Sequence, residues 1–368
     1  MKALFRIAVS PIELILLLAC SMFAPRVVPQ HPTPIPIGAT QKLPFVPTPN
    51  RFGVYISKDA GPDQDMVGAA RQLGLGWVRL NVVLGSGDQT YIQYLASGIN
   101  VILTILNQDP SNILTDYGTP QQYFAASFPY KSKAKYQQDV RDLLQPGLGY
   151  LKSGRQVWLQ GGNEIADASA AVKEPFWRGT MQQYLDQQQA LYEVVQSVNP
   201  DIPVVLTSFE SETLDKLIDP KAPGHAGVVK YLTGLLTQGK YNAIDLHFYG
   251  CVEDIPAKVK AVKDLLPAGQ TVPWISTENG GPMVECKNTP ISWSQDLTQF
   301  EALQAQQVPA RLSACADQGA SVCLWFSLFN VKRGSDDFNH LGLLDEDTTP
   351  AREKPAYEAF KTFIAQYK

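Results

Sequence analysis

The chain has 368 residues, of which 45% are hydrophobic, 10% aromatic and 18% charged. Its 31 Lys and Arg residues are balanced by 35 Asp and Glu residues, which excludes a strongly basic protein, so nucleic acid is not an expected partner. A mean hydropathy of −0.12 excludes a polytopic membrane protein, and the aromatic content excludes a disordered chain.

Residues 1–24 have the order of a secretory signal. Lys2 and Arg6 precede a short apolar stretch that leads to Cys20. The stretch Leu17–Cys20 resembles the bacterial lipobox, in which the cysteine is lipidated and becomes the mature N-terminus. The apolar core is short for a bilayer helix of roughly 20 residues, and Glu13 interrupts it. We expect export as a surface or periplasmic lipoprotein attached through Cys20, with ordinary secretion or an uncleaved anchor as alternatives.

Residues 25–50 are rich in proline. Eight prolines lie between Pro25 and Pro49, with almost no charge. Because proline fixes φ and lacks an N–H donor, this segment is predicted to be an extended spacer without a core. It would hold the folded part, residues 51–368, away from a membrane that the chain contacts only through its signal or lipid anchor.

From residue 51 onward, short apolar runs alternate with amphipathic stretches. Eight runs predict strands over Phe52–Ile56, Trp77–Val82, Asn100–Leu106, Gln156–Gly161, Val204–Ser208, Ala243–Tyr249, Pro273–Glu278 and Val322–Phe329. Helical periodicity predicts helices that include Asp65–Gln72, Lys133–Leu144, Gln183–Val198, Val228–Leu236, Pro256–Leu266 and Thr298–Gln318. This alternation predicts an α/β fold, a single (β/α)8 TIM barrel. A doubly wound open sheet is the competing architecture, but the usual nucleotide-binding glycine motifs of such sheets are missing from the sequence.

Two of the predicted strands end in glutamate. The fourth leads into Asn163 and Glu164, and the seventh ends at Glu278. Active sites of such barrels lie where strands end and the following loops begin. A carboxylate after a buried strand is costly unless it is paired, hydrogen-bonded or open to a polar cleft. Two at the same end of one barrel predict a paired-carboxylate site, although either glutamate alone can be favoured by a helix dipole.

In this order the residues resemble glycoside hydrolase clan A, the 4/7 superfamily of retaining glycosidases. The likeness extends over residues 51–368, and the departures from it leave the family open between family 5-, 39- and 53-like members. Besides the two glutamates, the matching elements are Arg79 after strand 2, His247-x-Tyr249 on strand 6, Trp325 on strand 8, and the tail segments Leu341–Asp345 and Lys354–Tyr357.

The resemblance implies a role for each matching residue. Glu164 is the expected acid/base and Glu278 the expected nucleophile, with carboxyls about 5–5.5 Å apart. Burial and the like charge of Glu278 would keep Glu164 protonated, whereas Arg79 and Tyr249 would stabilise ionised Glu278. Asn163 is the candidate partner of a sugar 2-OH. A structural alternative stays open for Arg79 as an ion-pair partner, His247 as a core residue and Tyr249 as a packing residue.

Two tryptophans are candidates for sugar contacts. The resemblance implies that Trp325 is a platform for a pyranose ring, and Trp177 is a weaker candidate for a further subsite. The structural alternatives are that Trp325 belongs to the barrel core and that Trp177 covers the barrel rim.

Four cysteines follow the linker. An even number in an exported chain is consistent with two disulfides, and their spacing does not resemble a zinc site. On the predicted topology, Cys251 and Cys286 lie on adjacent loops and would brace the site, and Cys315 with Cys323 is the second candidate pair. The alternative is that these cysteines are small buried hydrophobes.

The expected protein is a monomeric retaining glycosidase that cleaves β-glycosidic bonds of a polysaccharide or oligosaccharide. No metal or organic cofactor is expected: the chain has four histidines without H-x-H or H-E-x-x-H, and it lacks the G-x-S-x-G of many esterases. The alternative function is a non-catalytic carbohydrate-binding or scaffold lipoprotein on the same barrel. Endo and exo cleavage remain equally open.

Overall fold

Eight parallel strands form the centre of the molecule. The computed structural model describes residues 50–57, 64–165, 176–283, 286, 291–331, 336–345 and 350–367, all within one compact unit. The strands are β1 Phe52–Ile56, β2 Trp77–Val83, β3 Asn100–Leu106, β4 Val157–Gln160, β5 Val204–Phe209, β6 Ala243–Leu246, β7 Trp274–Ile275 and β8 Cys323–Trp325. The predicted signal, Cys20 and most of the proline-rich spacer lie outside the described residues and stay predictions, as do the domain boundaries.

The strands follow one another around a barrel. Their order is β7-β6-β5-β4-β3-β2-β1-β8, and every neighbouring pair is parallel. At the remaining seam Ser276, just after β7, donates its N–H to Val322 O and accepts from the N–H of Leu324. These bonds bring β7 against β8, and the (β/α)8 prediction is confirmed. A small antiparallel pair, β9 Leu344–Asp345 and β10 Arg352–Glu353, follows the barrel.

Helices connect the strands. They are α1 Met66–Gln72, α2 Tyr91–Ala96, α3 Lys133–Leu144, α4 Leu148–Leu151, α5 Met181–Val198, α6 Ser211–Ile218, α7 His225–Gln238, α8 Ile255–Asp264, α9 Leu297–Asp317 and α10 Pro355–Gln366. Helix α5 begins with a capping box, in which Thr180 and Gln183 each bond the other's backbone N–H. None of the helices in these ranges combines the length and apolarity needed to cross a membrane.

The barrel interior is apolar at its lower end. One layer of fully buried side chains fills it, and Trp77 and Trp158 meet there edge to face with ring centroids 5.6 Å apart. The layer consists of Trp77, Ile102, Trp158, Val205, Ala243, Ile275, Val322 and Leu324. We call it the apolar floor. Above it, two residues further along several strands, polar side chains begin.

Of the four cysteines, two form a disulfide and two do not. Cys251 and Cys286 form a disulfide, which confirms the predicted bridge between the loops after β6 and β7. The second predicted pair is wrong, because Cys315 and Cys323 are buried free thiols. The sulfur of Cys315 instead accepts a hydrogen bond from Asn279 Nδ2 at 3.0 Å. Both therefore behave as the small buried residues of the alternative interpretation.

The disulfide closes a loop of 35 residues, so its removal increases the entropy of the unfolded chain. We expect the double variant Cys251→Ser/Cys286→Ser to lose about 2–4 kcal/mol of unfolding free energy, measured by urea unfolding. A reductant should lower the stability of wild type but leave that of the double variant unchanged. Sensitivity of the double variant to the reductant would indicate that Cys315 and Cys323 are bonded after all.

Candidate active site

Arg79 is the central cation of the site. It extends from β2 into the barrel, where its side chain is fully buried. Its guanidinium donates to Glu278 Oε1 and Asn163 Oδ1, and its Nε donates to Thr104 Oγ1 at 2.7 Å. Burial alone lowers the pKa of Arg79, but the charges of Glu278 and Asp245 outweigh it and raise the pKa. One arginine therefore connects the loops after β4 and β7.

Glu164 stands on strained backbone. Its φ is +42°, and among the described residues it is the only residue other than glycine with positive φ. The hydroxyl of Ser208 on β5 accepts the Glu164 N–H at 2.9 Å and bonds Asn163 Oδ1 at 3.3 Å. These bonds hold the end of β4 in a conformation that aims the carboxyl at the barrel axis.

His247 lies between the two glutamates and a third acid. Its Nδ1 is 2.6 Å from Glu164 Oε1 and 3.6 Å from Glu278 Oε2, and its Nε2 is 3.2 Å from Asp245 Oδ2. Burial alone lowers the pKa of His247, but the surrounding carboxylates raise it to about 10. His247 is therefore an imidazolium at neutral pH, and both of its ring nitrogens donate.

The carboxylate of Asp245 compensates the positive charges of Arg79 and His247. Burial raises its pKa, but His247, Arg79 and the hydroxyl of Thr277 outweigh burial and lower it. Its Oδ2 accepts from Gln160 Nε2 at 2.6 Å, and Gln160 Oε1 accepts from Thr104 Oγ1 at 2.6 Å. A continuous chain of buried hydrogen bonds thus runs from Arg79 across β3, β4 and β6.

The charges predict which carboxyl carries a proton. Arg79 and His247 contribute two positive charges, and Asp245, Glu164 and Glu278 contribute three potential negative ones, so one proton on a carboxyl makes the group neutral. Burial raises the pKa of Glu164, and Glu278 raises it further, against the opposing effects of His247 and Arg79. Burial and the charge of Glu278 therefore favour the protonated form of Glu164.

The two glutamates face each other across a short gap. One oxygen of each, together with a His247 nitrogen, lies within 4.8 Å of the others. Tyr249 donates its hydroxyl to Glu278 Oε2 at 2.6 Å, whereas Arg79 bonds Oε1. Three such groups are also a possible set of metal ligands, but Arg79 already bonds Glu278, and the surrounding carboxylates raise the pKa of His247, which favours the protonated form that does not ligate a metal. The arrangement is suited to proton transfer and to nucleophilic attack by a carboxylate.

The predicted sugar platform is wrong for Trp325. This side chain is fully buried, and its Nε1 donates to Leu341 O at 2.8 Å. Successive side chains of a strand point to opposite faces: Leu324 belongs to the apolar floor, so Trp325 points out of the barrel and Phe326 points back in. The Phe326 ring stacks on Tyr55 with centroids 5.1 Å apart, next to Arg79, whose guanidinium lies 5.3 Å from the Tyr55 ring.

Trp177 covers the barrel rim, and its predicted contact with sugar is not supported. Its indole is buried against Tyr184 of α5, and its Nε1 donates to Thr180 O at 3.0 Å. A backbone bridge to Ser127 joins it to the long segment between β3 and α3. The other predicted residues, Arg79, Asn163, Glu164, His247, Tyr249 and Glu278, come together in one cluster.

Sequence reasoning missed the residues that support this cluster. They are Tyr55, Thr104, Gln160, Ser208, Asp245, Thr277 and Phe326. Most are polar residues in otherwise apolar strands. Most lie two positions along the chain from a residue whose side chain also points into the barrel. Asp245, two residues before His247, carried the clearest signal, since a lone carboxylate in a buried strand requires a partner.

Solved structures of several glycoside hydrolases resemble this chain, whereas neither a family model nor a curated protein matches it. The GH53 catalytic domain from Ignisphaera aggregans has a TM-score of 0.54 at 15% identity, over 88% of this chain and 98% of that one. A GH5_18 protein from Streptomyces cattleya in complex with GlcNAc has a TM-score of 0.57 at 16% identity, over 86% of this chain and 80% of that one. A GH39 β-xylosidase from Caulobacter crescentus has a TM-score of 0.53 at 14% identity, over 87% of this chain and 72% of that one.

The likeness is one of fold. The chain has a (β/α)8 barrel like that of these glycoside hydrolases, and the fold that the sequence resemblance implies is confirmed. The family stays open, because proteins of several families resemble the chain about equally.

The raised pKa of His247 has a consequence for stability. The folded protein retains the proton up to a pH of about 10, whereas an unfolded histidine loses it near 6.5. This contribution to stability is therefore fully present below pH 6.5 and is lost as the pH rises toward 10. We expect the stability advantage of wild type over His247→Gln to shrink across this window, by up to about 1.4 kcal/mol per pH unit.

Urea unfolding of both proteins between pH 6.5 and 9.5 measures this difference. Groups common to both proteins, such as Lys354, whose pKa burial lowers to about 8, cancel in the comparison. Parallel stability curves for wild type and variant would mean that His247 is not protonated in the folded state.

Proposed function

We propose that the protein is a retaining glycoside hydrolase that cleaves β-glycosidic bonds of a polysaccharide or oligosaccharide. The observation that carries this proposal is the approach of Glu164 and Glu278 to within 4.8 Å at the carboxyl end of the barrel. A pair this close leaves no room for a water molecule behind the sugar, which favours double displacement over inversion. Sugar-related ligands and substrates among the structural neighbours, such as GlcNAc bound to the GH5_18 protein, agree with a saccharide substrate.

In the first step Glu278 is the nucleophile. An oxygen of its carboxylate attacks the anomeric carbon while the bond from that carbon to the leaving oxygen breaks. Because His247 Nδ1 donates to Oε1 of Glu164 at 2.6 Å, the proton of Glu164 sits on Oε2, from which it passes to the leaving oxygen. Asn163, whose Oδ1 is held by Arg79, is positioned beside this proton. The products are a glycosyl ester of Glu278 and a free alcohol.

In the second step Glu164 becomes the base. The glycosyl ester removes the negative charge of Glu278, which is one of the causes that raise the pKa of Glu164. Arg79 and His247 then outnumber the remaining anion, so Glu164, which gave up its proton in the first step, is stabilised as a carboxylate and can take a proton from water. The resulting hydroxide attacks the anomeric carbon, releases the sugar with its original configuration and restores the Glu278 carboxylate.

The proposed setting is outside the cytoplasm. The signal-like N-terminus and the lipobox-like Leu17–Cys20 favour a surface or periplasmic lipoprotein, with secretion as the alternative. The Cys251–Cys286 disulfide agrees with an oxidising compartment. We propose that the chain acts as a monomer.

The two glutamates should respond differently to the leaving group. We expect Glu278→Gln to lose turnover of aryl β-glycosides on the order of 10⁴-fold or more, whatever the leaving group. In kcat/KM, which reports the first step, Glu164→Gln should lose on the order of 10²–10⁴-fold with poor leaving groups, but much less with dinitrophenyl glycosides, which need no protonation. Steady-state kinetics measure both effects, and proton NMR of the first product should show the β-anomer.

Turnover that survives in Glu278→Gln would remove this residue from the nucleophile role. A first product of inverted configuration would contradict double displacement. Binding of oligosaccharides by wild type, without turnover of any of the glycosides tested, would support the carbohydrate-binding alternative instead.

A further inference from the structure

Tyr249, which bonds Glu278, lies three residues after the end of β6. Strand β6 ends at Leu246, and Phe248 still donates its N–H to Glu278 O. One residue later, both polar groups of the Tyr249 backbone bond to one side chain, that of Ser211. The N–H donates to Ser211 Oγ at 3.0 Å, and that hydroxyl donates to Tyr249 O at 3.2 Å. A single hydroxyl thus fixes the peptide that carries the phenol.

A buried lysine determines how this hydroxyl is turned. Lys258 of α8 is only 1% exposed, and its Nζ donates to Ser211 Oγ at 3.2 Å. A hydroxyl has one proton to donate and two lone pairs that accept. Lys258 and the Tyr249 N–H occupy both lone pairs of Ser211, so its proton is directed to Tyr249 O.

Burying this ammonium has a cost that the structure offsets in part. Burial lowers the pKa of Lys258, and Asp215 Oδ1 at 2.7 Å opposes that effect. Asp215 lies on α6, the helix that begins with Ser211, and its side chain is about half exposed. At this depth the Lys258 ammonium thus has two polar partners, the Asp215 carboxylate and the Ser211 hydroxyl.

We propose that Ser211 and Lys258 are positioning residues for Glu278, and that they act through Tyr249. Lys258 orients the Ser211 hydroxyl, Ser211 holds the Tyr249 peptide, and the Tyr249 phenol holds Oε2 of Glu278 at 2.6 Å. This inference rests on the proposed nucleophilic role of Glu278. It assigns to α6 and α8, on the outside of the barrel, a function in aligning the attacking oxygen.

A double-mutant cycle tests the relay. We expect Ser211→Ala to lower kcat on an aryl β-glycoside about fivefold to tenfold, with KM changed less than about twofold. In a Tyr249→Phe background, which lacks the hydroxyl at the end of the relay, the same substitution should change kcat less than about twofold. Lys258→Met should behave likewise. Lys260→Met, on the same helix but with a side chain 76% exposed, is the matched control and should leave kcat unchanged.

Equal losses of kcat in the two backgrounds would overturn the proposal, because they would show an effect that does not pass through the phenol. An unchanged kcat in Ser211→Ala would overturn it as well. Should Lys258→Met not fold, Ser211→Ala, which removes no charge, decides the question. If wild type hydrolyses no glycoside, the proposed function fails, and the same cycle measured by urea unfolding tests the relay: coupled losses support it, and additive losses overturn it.

Discussion

The structure depends on balancing charge inside the barrel. Arg79, Asp245 and His247 are fully buried, and Glu164 and Glu278 are nearly so. Each of these groups would be costly to bury alone. Together they carry two positive charges and three carboxyls, so a single proton on Glu164 makes the group neutral. Removal of any one of the four charged members, Arg79, Asp245, His247 or Glu278, leaves a buried charge uncompensated.

The same balance links the two proposed steps. Before the reaction, with Glu164 protonated, the five side chains have no net charge. When Glu278 forms the ester it loses its negative charge, and Glu164 gives its proton to the leaving oxygen, so the net charge is again zero. The protein does not need to move for Glu164 to change from acid to base. The bonds from Thr104 and Gln160 to their neighbours keep Arg79 and Asp245 in place throughout. Rigid partners of this kind are the usual basis of electrostatic preorganisation.

Much of the fold could be predicted from the sequence, since buried parallel strands and amphipathic helices leave clear periodic patterns. The strand ends that carry Asn163, Glu164 and Glu278 were predictable for the same reason. The face of the sheet to which Trp325 points was not predictable. Shifting a strand by one residue exchanges its two faces, and the sequence of β8 is apolar on both. The bonding of Cys315 and Cys323 was also beyond sequence, since it depends on the distance and orientation of two elements.

Supporting residues were harder to predict than reacting ones. Glu164 and Glu278 belong to a motif, whereas Ser211 and Lys258 are ordinary residues of two helices whose importance appears only when their hydrogen bonds are followed. Their contacts are set by the packing of α6 against α8 and by the point at which β6 leaves the sheet. Neither is encoded in a short sequence pattern.

The apolar floor has a consequence for traffic through the molecule. Its eight side chains, Trp77 and Trp158 among them, fill the lower end of the barrel, so within the described residues the buried charges lie toward the upper end. On the proposed function, a saccharide would enter and its fragments would leave at that upper end. A sugar bound there would lie between Glu164 and bulk solvent, so the water that returns a proton to Glu164 would have to enter from the side that the leaving fragment vacates.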